Sequence, residues 1–299
     1  MLRRRPLKAL AYAKVNLSLE VLGPRSDGYH QVITVLQTVD LFDRLSFEHG
    51  DQISVECSRP GLSGEANLAW RAASALRDSV PSGAQLGVAI NINKGIPLAM
   101  GLGGGSSDAA ATLVALDRLW RLDLPLEALE DIGRGLGSDV PFFIRGGTAL
   151  GEERGDVLHR LRPLEDRWLV LVCPDITLES KTARLYAMLS PHSHTDGRLT
   201  RSLAHSIHRG QLSSDMLFNV FEQVAMDAFP GLDRAMEDMN QAGAEFVHLS
   251  GTGPALYSLV EDPSEGQRMV GRLAGMGRTG HVLRTTGASS ILTLLAAPN

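Results

Sequence analysis

The run Pro97-Leu98-Ala99-Met100-Gly101-Leu102-Gly103-Gly104-Gly105-Ser106-Ser107 sets closely spaced glycines before two hydroxyls. Glycine lets backbone approach a ligand closely and take φ > 0. The stretch that follows, Ala109–Trp120, is rich in Ala and Leu, with Leu113, Leu116 and Trp120 at three- and four-residue steps, which predicts a helix. Successive backbone N–H groups feeding a helix N-terminus favour an anion, because first-turn donors lack intrahelical partners and the dipole is positive there. The chemistry this predicts is the cradling of a phosphate chain. Two better-known phosphate loops do not fit. No lysine follows the glycines as in Gly-x4-Gly-Lys-Ser/Thr, and Ser106 stands where a Gly-x-Gly-x-x-Gly starting at Gly101 needs its last glycine. Ser106 and Ser107 each have two readings, as donors to a phosphate or ligands of its magnesium, and as plain helix caps.

Phosphoryl transfer needs phosphates held, charge neutralised and an acceptor hydroxyl aligned and relieved of its proton. Lys14, in Ala13-Lys14-Val15-Asn16-Leu17, and Asp139, in Leu136-Gly137-Ser138-Asp139-Val140-Pro141-Phe142-Phe143, are the acid–base candidates. An ammonium beside a carboxylate orients it and can face an incoming phosphate. The alternatives are a Lys14 that snorkels from an edge strand and an Asp139 that only caps the helix containing Pro141. Asn16, two residues beyond Lys14, shares its face on a strand.

These motifs, with Asp27-Gly28-Tyr29-His30 and Ser250-Gly251-Thr252-Gly253-Pro254, occur in order between about Ala11 and Val260. Together they resemble the GHMP kinases, the galactokinase, homoserine, mevalonate and phosphomevalonate kinase superfamily. Within it, the triple glycine points to members that phosphorylate an alcohol hydroxyl of a cytidine diphosphate-linked polyol in isoprenoid precursor synthesis. The resemblance implies ATP and magnesium as cofactors, Asp139 as base and Lys14 as its partner. It implies that Pro97 to Ser107 bind ATP; Asn67 and Lys94, as lone polar residues, are second-line candidates for the adenine pocket. The resemblance places Tyr29 and His30 on the side of the cytidine substrate. Tyr186 is the candidate for the opposite face of the base and Asn16, on the face of Lys14, a candidate substrate contact, although half-buried packing is the commoner role of a tyrosine. One segment departs from the family pattern: Asn219-Val220-Phe221-Glu222 stands where Asn-Asp-x-Glu is usual. Met100 replaces a smaller residue and narrows the expected loop entrance. Another superfamily kinase, for homoserine, mevalonate or a sugar, is the second reading; a silent nucleotide-binding module is the third, and needs neither Lys14 nor Asp139.

The elements that must position these residues alternate unequally. Strands are expected at Ala9–Leu22, Val32–Leu41, Leu45–Cys57, Leu86–Asn93, Trp168–Cys173, Phe246–Leu249, Ala255–Val260 and His281–Thr285. Helices are expected at Asn67–Arg77, Ser107–Arg121, Leu126–Gly135, Ser138–Ile144, Ser180–Leu189, Leu217–Met226, Leu232–Gln241 and Pro263–Met276, with a polar linker from Pro191 to Arg198. This is an α+β pattern. The resemblance implies a two-domain GHMP kinase fold: an N-terminal α/β domain over 1–160 and a ferredoxin-like C-terminal domain over 161–299.

Composition sets the outer bounds. At 299 residues the chain can bury a sizeable core, and 43% hydrophobic with 21% charged residues is ordinary for a globular protein. A net charge of -5 and a pI near 6.0 oppose a nucleic-acid-coating role. Arg3-Arg4-Arg5 precedes no apolar h-region, and no apolar run reaches the ~20 residues of a membrane span. Two cysteines, Cys57 and Cys173, suit a reduced cytoplasm. The nine histidines show no metal-ligand spacing, and His192 and His194 fall in the polar linker. The expected partner is a small cytidine diphosphate compound, without nucleic acid or membrane, and the chain is expected as monomer or homodimer.

Overall fold

A computed structural model describes residues 6–81, 85–164 and 166–287; Arg3-Arg4-Arg5 lies outside the described residues. The long strands β1 (Leu7–Pro24) and β2 (His30–Gly50) pair antiparallel around the turn that carries Asp27-Gly28-Tyr29. Their ladder shifts register at Tyr12/Ala13, Asn16/Ser18 and Val21/Gly23, and such bulges bend and twist a hairpin. The sheet is completed by β3 (Ile53–Cys57), β4 (Gly87–Asn93), β5 (Thr148–Glu152), β6 (Val157–Arg160) and β8 (Phe218–Asn219). Its main order is β3-β4-β2-β1-β8, with β5 joining the other stretch of β2 and β6 pairing with β5.

Helices α1 (Leu68–Asp78), α2 (Gly104–Trp120), α3 (Leu126–Leu136) and α4 (Val140–Arg145) pack with this sheet around Phe47, Ile90, Leu113, Leu116 and Phe142. Helix α2 is buried along nearly all its length, which explains its Ala-rich sequence: small side chains let it lie close to its neighbours.

The second sheet contains β7 (Trp168–Val172), β9 (His248–Leu249), β10 (Leu256–Val260) and β11 (Gly280–Arg284) in the antiparallel order β11-β7-β10-β9. Helices α5 (Lys181–Met188), α6 (Arg198–His208), α7 (Glu222–Ala228) and α8 (Leu232–Gln241) lie between β7 and β9, and α9 (Pro263–Gly275) between β10 and β11. Outer strands fourth and second around the first and third define the ferredoxin-like arrangement. The chain passes from the first sheet to the second between β6 and β7. A third core of Val15, Leu17, Val35, Leu102, Leu171 and Tyr257 joins the two halves, so β1 is buried on both faces from Ala13 to Val21.

The α+β expectation agrees with this architecture, and its departures have local causes. Leu45–Cys57, expected as one strand, is the end of β2, a turn at Asp51-Gln52 and the parallel strand β3. The hairpin β5–β6 was not expected, because Val157–Arg160 is exposed and too short to show alternation. Helix α6 occupies a stretch after the linker where no element was expected. Its Leu203, Ala204 and Ile207 are buried at helical spacing, while the cap position, Gly197, offers no side-chain signal. A helix expected from Leu217 begins only at Glu222, since Phe218 and Asn219 add a parallel strand to β1. Among the described residues, no helix is long and apolar enough to cross a membrane.

Candidate active site

The loop between β4 and α2, the start of α4, the turn after β1, the start of α5 and the loop after β9 meet in one cleft of about 970 Å³. Pro97 and Ala99 through Ser106 form its glycine-rich wall; Leu98 is exposed and does not line it. The loop is bent by positive φ at Ala99, Gly101 and Gly103, at 57°, 82° and 73°. Gly103 caps α2, and a Cβ there would sit 2.7 Å from the Phe143 ring. A Cβ on Gly101 would meet the Ser250 carbonyl oxygen at 2.1 Å, so backbone from the two halves touches directly. Gly105 differs: its missing Cβ faces open space.

Lys14 extends from β1 into this cleft with its side chain only 5% exposed, which removes the edge-strand alternative. Its ammonium donates to Asn16 Oδ1 at 2.5 Å and lies 3.7 Å from Asp139 Oδ2. Asn16 in turn donates from Nδ2 to Thr34 Oγ1 at 2.8 Å, and that hydroxyl donates to the Ser18 carbonyl at 2.6 Å. The chain of bonds fixes the amide so that its oxygen faces the lysine. Asp139 sits at the cap position of α4, yet its side chain makes no capping hydrogen bond. Its carboxylate therefore faces the cleft beside Lys14.

Part of the cleft lining is aromatic. His30 and Tyr186 stack with centroids 4.6 Å apart and planes at 27°, and Phe221 meets Tyr186 edge-on at 4.9 Å. Tyr29 is 56% exposed, with the Arg154 guanidinium 5.1 Å above its ring. His30, rather than Tyr29, thus covers one face of Tyr186. Burial lowers the His30 pKa, with nearby His194 adding to it, so the neutral imidazole is favoured. Burial, then Asp139, pushes the Tyr186 hydroxyl up to about 12, so it keeps its proton.

Three residues expected to touch ATP are engaged elsewhere. Ser107 is buried and donates from Oγ to the Tyr12 carbonyl at 2.6 Å, anchoring α2 to β1; Ser106 is the serine that lines the cleft. Neither serine caps α2, because the helix already begins at Gly104. Asn67 caps α1 by accepting from Ala69 N–H at 2.8 Å, while its amide donates to the Leu62 carbonyl at 2.6 Å. Lys94 is buried between two carboxylates, bonding to Asp43 Oδ2 and to Asp108 Oδ2, the latter at 2.7 Å. Asp43 also accepts from Gly95 and Ile96 N–H, at 2.7 and 2.8 Å, so this cluster ties the entry of the glycine loop to helix α2. Burial raises the Asp108 carboxyl above the usual range despite Lys94, with Asp43 contributing further.

Other lining residues escaped the sequence reading: Thr34, Arg154, Lys181, Thr182 and Thr252. Thr252 falls within the Ser250–Pro254 motif, where the glycines rather than the hydroxyl carry the signal; the others stand in no chemically suggestive spacing. The Asn219–Glu222 departure has a structural explanation. Asn219 Nδ2 donates to the Leu249 and Gly251 carbonyls, each at 2.8 Å, and Glu222 Oε1 accepts from Leu249 N–H at 2.9 Å. The two retained residues thus hold the loop after β9, while Val220 is wholly buried in the second core, where an apolar side chain suits. Met100 lines the cleft and accepts from Ala255 N–H at 3.3 Å.

A ferredoxin-like half joined to a sheet-and-helix half, with a glycine loop feeding a helix at their seam, is the arrangement of a GHMP-type kinase. The GHMP kinases N terminal domain matches residues 67–147, and the GHMP kinases C terminal domain residues 196–279. A curated 4-diphosphocytidyl-2-C-methyl-D-erythritol kinase of Dehalococcoides mccartyi is 40% identical over 94% of this chain and 99% of its own. One of Bacillus pumilus is 37% identical over 94% and 98%. A crystal structure of a 4-(cytidine 5'-diphospho)-2C-methyl-D-erythritol kinase, 32% identical, superposes with TM-score 0.78 over 94% of this chain and 99% of that one. A homoserine kinase of Cytophaga hutchinsonii, at 18% identity and TM-score 0.73, shares the fold. This chain belongs to the 4-diphosphocytidyl-2-C-methyl-D-erythritol kinase family.

The buried cluster yields a stability prediction. Lys94→Met leaves Asp43 and Asp108 buried without their cation, and breaking such a pair costs ~3–5 kcal/mol. Urea unfolding of the variant should show this loss as a lowered midpoint with an unchanged slope. A change below 1 kcal/mol would show that the cluster does not hold the loop.

Proposed function

We infer that this chain transfers the γ-phosphoryl group of ATP to the position 2 hydroxyl of 4-diphosphocytidyl-2-C-methyl-D-erythritol, a step of the non-mevalonate route to isoprenoid precursors. The observation that carries this reading is the Lys14–Asp139 pair in a cleft that the glycine-rich loop and the aromatic residues His30 and Tyr186 also line. The acceptor oxygen attacks the γ-phosphorus as the bond to the β,γ-bridging oxygen breaks, and ADP departs with that bond's electron pair. Asp139, uncommitted to capping, takes the hydroxyl proton. Lys14 holds the carboxylate in place and faces the charge that develops on the transferring oxygens.

The donor's phosphates lie along Gly101–Ser106, where glycine leaves backbone donors open. Among the described residues there is no group of three or more His, Cys, Asp or Glu that could hold a metal alone. Magnesium is usually carried mainly by nucleotide phosphates, and the Ser106 hydroxyl on the glycine wall is a protein oxygen that would add to its shell. Bound there, magnesium would neutralise phosphate charge. The cytosine ring is assigned to the part of the lining built by Tyr29, His30 and Tyr186. A homoserine or mevalonate acceptor has no ring to stack, so these aromatics favour the cytidine compound over the second reading.

Three measurements test the assignment. Asp139→Asn should lower kcat by ~10²–10⁴-fold, the usual contribution of a general base, with nucleotide affinity retained; near-normal turnover removes Asp139 from the mechanism. Gly105→Val adds bulk where the protein leaves space, so the variant should melt close to wild type while binding ATP at least ~10-fold more weakly, a loss of ~1.4 kcal/mol. An unchanged dissociation constant by calorimetry would place the phosphates elsewhere. Tyr186→Ala should cost ~1–3 kcal/mol of affinity for the cytidine substrate, the worth of one base–aromatic stack, and spare ATP. Equal losses for both nucleotides would instead support a different acceptor.

A further inference from the structure

Among the residues lining the cleft, Lys14, Arg154 and Lys181 are cations and Asp139 is the single carboxylate. Lys14 is committed to Asn16 and Asp139. Arg154 pairs with Asp156 at 2.7 Å. Lys181 differs from both: among the described residues no carboxylate lies within ion-pair distance of it, and its ammonium donates only to the Gly253 carbonyl. Burial, and then the nearby charge of Lys14, lower its pKa to about 8. An unpaired ammonium drawn out of water next to another ammonium is unfavourable until an anion arrives.

The placement of Lys181 selects among the anions available. It is the first residue of α5, whose backbone donors add a positive helix end to its charge. Tyr186, five residues on, stacks on His30 in the aromatic part of the lining. At 1.5 Å per residue the two lie ~7.5 Å apart along the helix, a span that accommodates one ribose. A base seated on these aromatics therefore brings its 5'-diphosphate to Lys181. Thr182 faces the same space, with its hydroxyl 3.2 Å from that of Thr252.

Resting on the functional reading above, we propose that Lys181 binds the diphosphate of the acceptor and is the residue that selects acceptors carrying one. It serves the acceptor and leaves the donor's phosphates to the glycine loop. In the free enzyme the ammonium is parked on the Gly253 carbonyl, and the incoming diphosphate gives it the counter-charge the protein withholds.

Calorimetric titration of the full chain with CDP and, separately, with ATP tests this in wild type and in Lys181→Met, Lys181→Gln and Lys181→Arg. Lys181→Met should weaken CDP binding ~10–100-fold, in line with a hydrogen bond to a charged group, with ATP binding within about twofold. Lys181→Gln keeps a donor for the Gly253 carbonyl but no charge, and should fail as Lys181→Met does; Lys181→Arg should restore most of the CDP affinity. Rescue by Gln as well as Arg would show that Lys181 only holds the Gly253 loop. Loss of ATP affinity in step with CDP, or in its place, would also overturn the proposal, as would unchanged CDP binding in Lys181→Met. Wild-type protein that binds ATP but no CDP would overturn the cytidine reading itself, and this assignment with it.

Discussion

The site depends on a contact between two backbones. Gly101 of the glycine loop lies against the Ser250 carbonyl so closely that a single Cβ would overlap it at 2.1 Å. The Ser250 hydroxyl donates to the Gly101 carbonyl at 3.1 Å, Met100 accepts from Ala255, and Leu102 accepts from Lys14 N–H at 3.0 Å. Three segments from both halves of the chain are thus locked at main-chain range. No pair of side chains could set the spacing as tightly, because rotamers give and backbone at this distance does not. Once the seam is closed, the glycine wall, the lysine of β1 and the loop after β9 have one relative placement.

Around that seam, charge is arranged in two different ways. Lys94 is enclosed by Asp43 and Asp108, with backbone donors satisfying the remaining oxygen of Asp43, so this charge is spent on structure. The cations of the cleft face a single lining carboxylate. A site for polyphosphates needs such an excess of positive charge, and a low-dielectric wall makes each unneutralised cation a stronger attractor. The buried cluster ties the entry of the glycine loop to α2, while the cleft keeps its cations in excess over its lining carboxylate.

The second half contributes more than a lid. It sends Phe218-Asn219 into the first sheet beside β1 and supplies Lys181, Thr182, Tyr186 and Phe221 to the cleft. Asn219 and Glu222 hold the loop of Ser250–Pro254 through its backbone groups. Both halves therefore line the cleft, with Lys14, His30 and Asp139 coming from the first and the helix carrying Tyr186 from the second.

The amino-acid sequence by itself determined the glycine loop, the helix it opens and the order of the motifs, because glycine spacing and apolar period are local properties. It also placed Lys14 and Asn16 on one face, since alternation along a strand needs no tertiary information. The α+β class followed from the same periodicities. Whether a polar side chain reaches a ligand was decided only in three dimensions. Lys94 and Ser107 flank the loop in sequence and Asn67 precedes it, yet a buried carboxylate pair, the Tyr12 carbonyl and a helix cap claim them. Lys181 and Arg154 carry no local signal and enter the cleft because α5 and the β5–β6 turn are folded against it. The stacking of His30 on Tyr186 joins residues 156 positions apart. Hydrogen-bonding capacity is written in the residue type, but its partner is chosen by what packing brings within 3 Å.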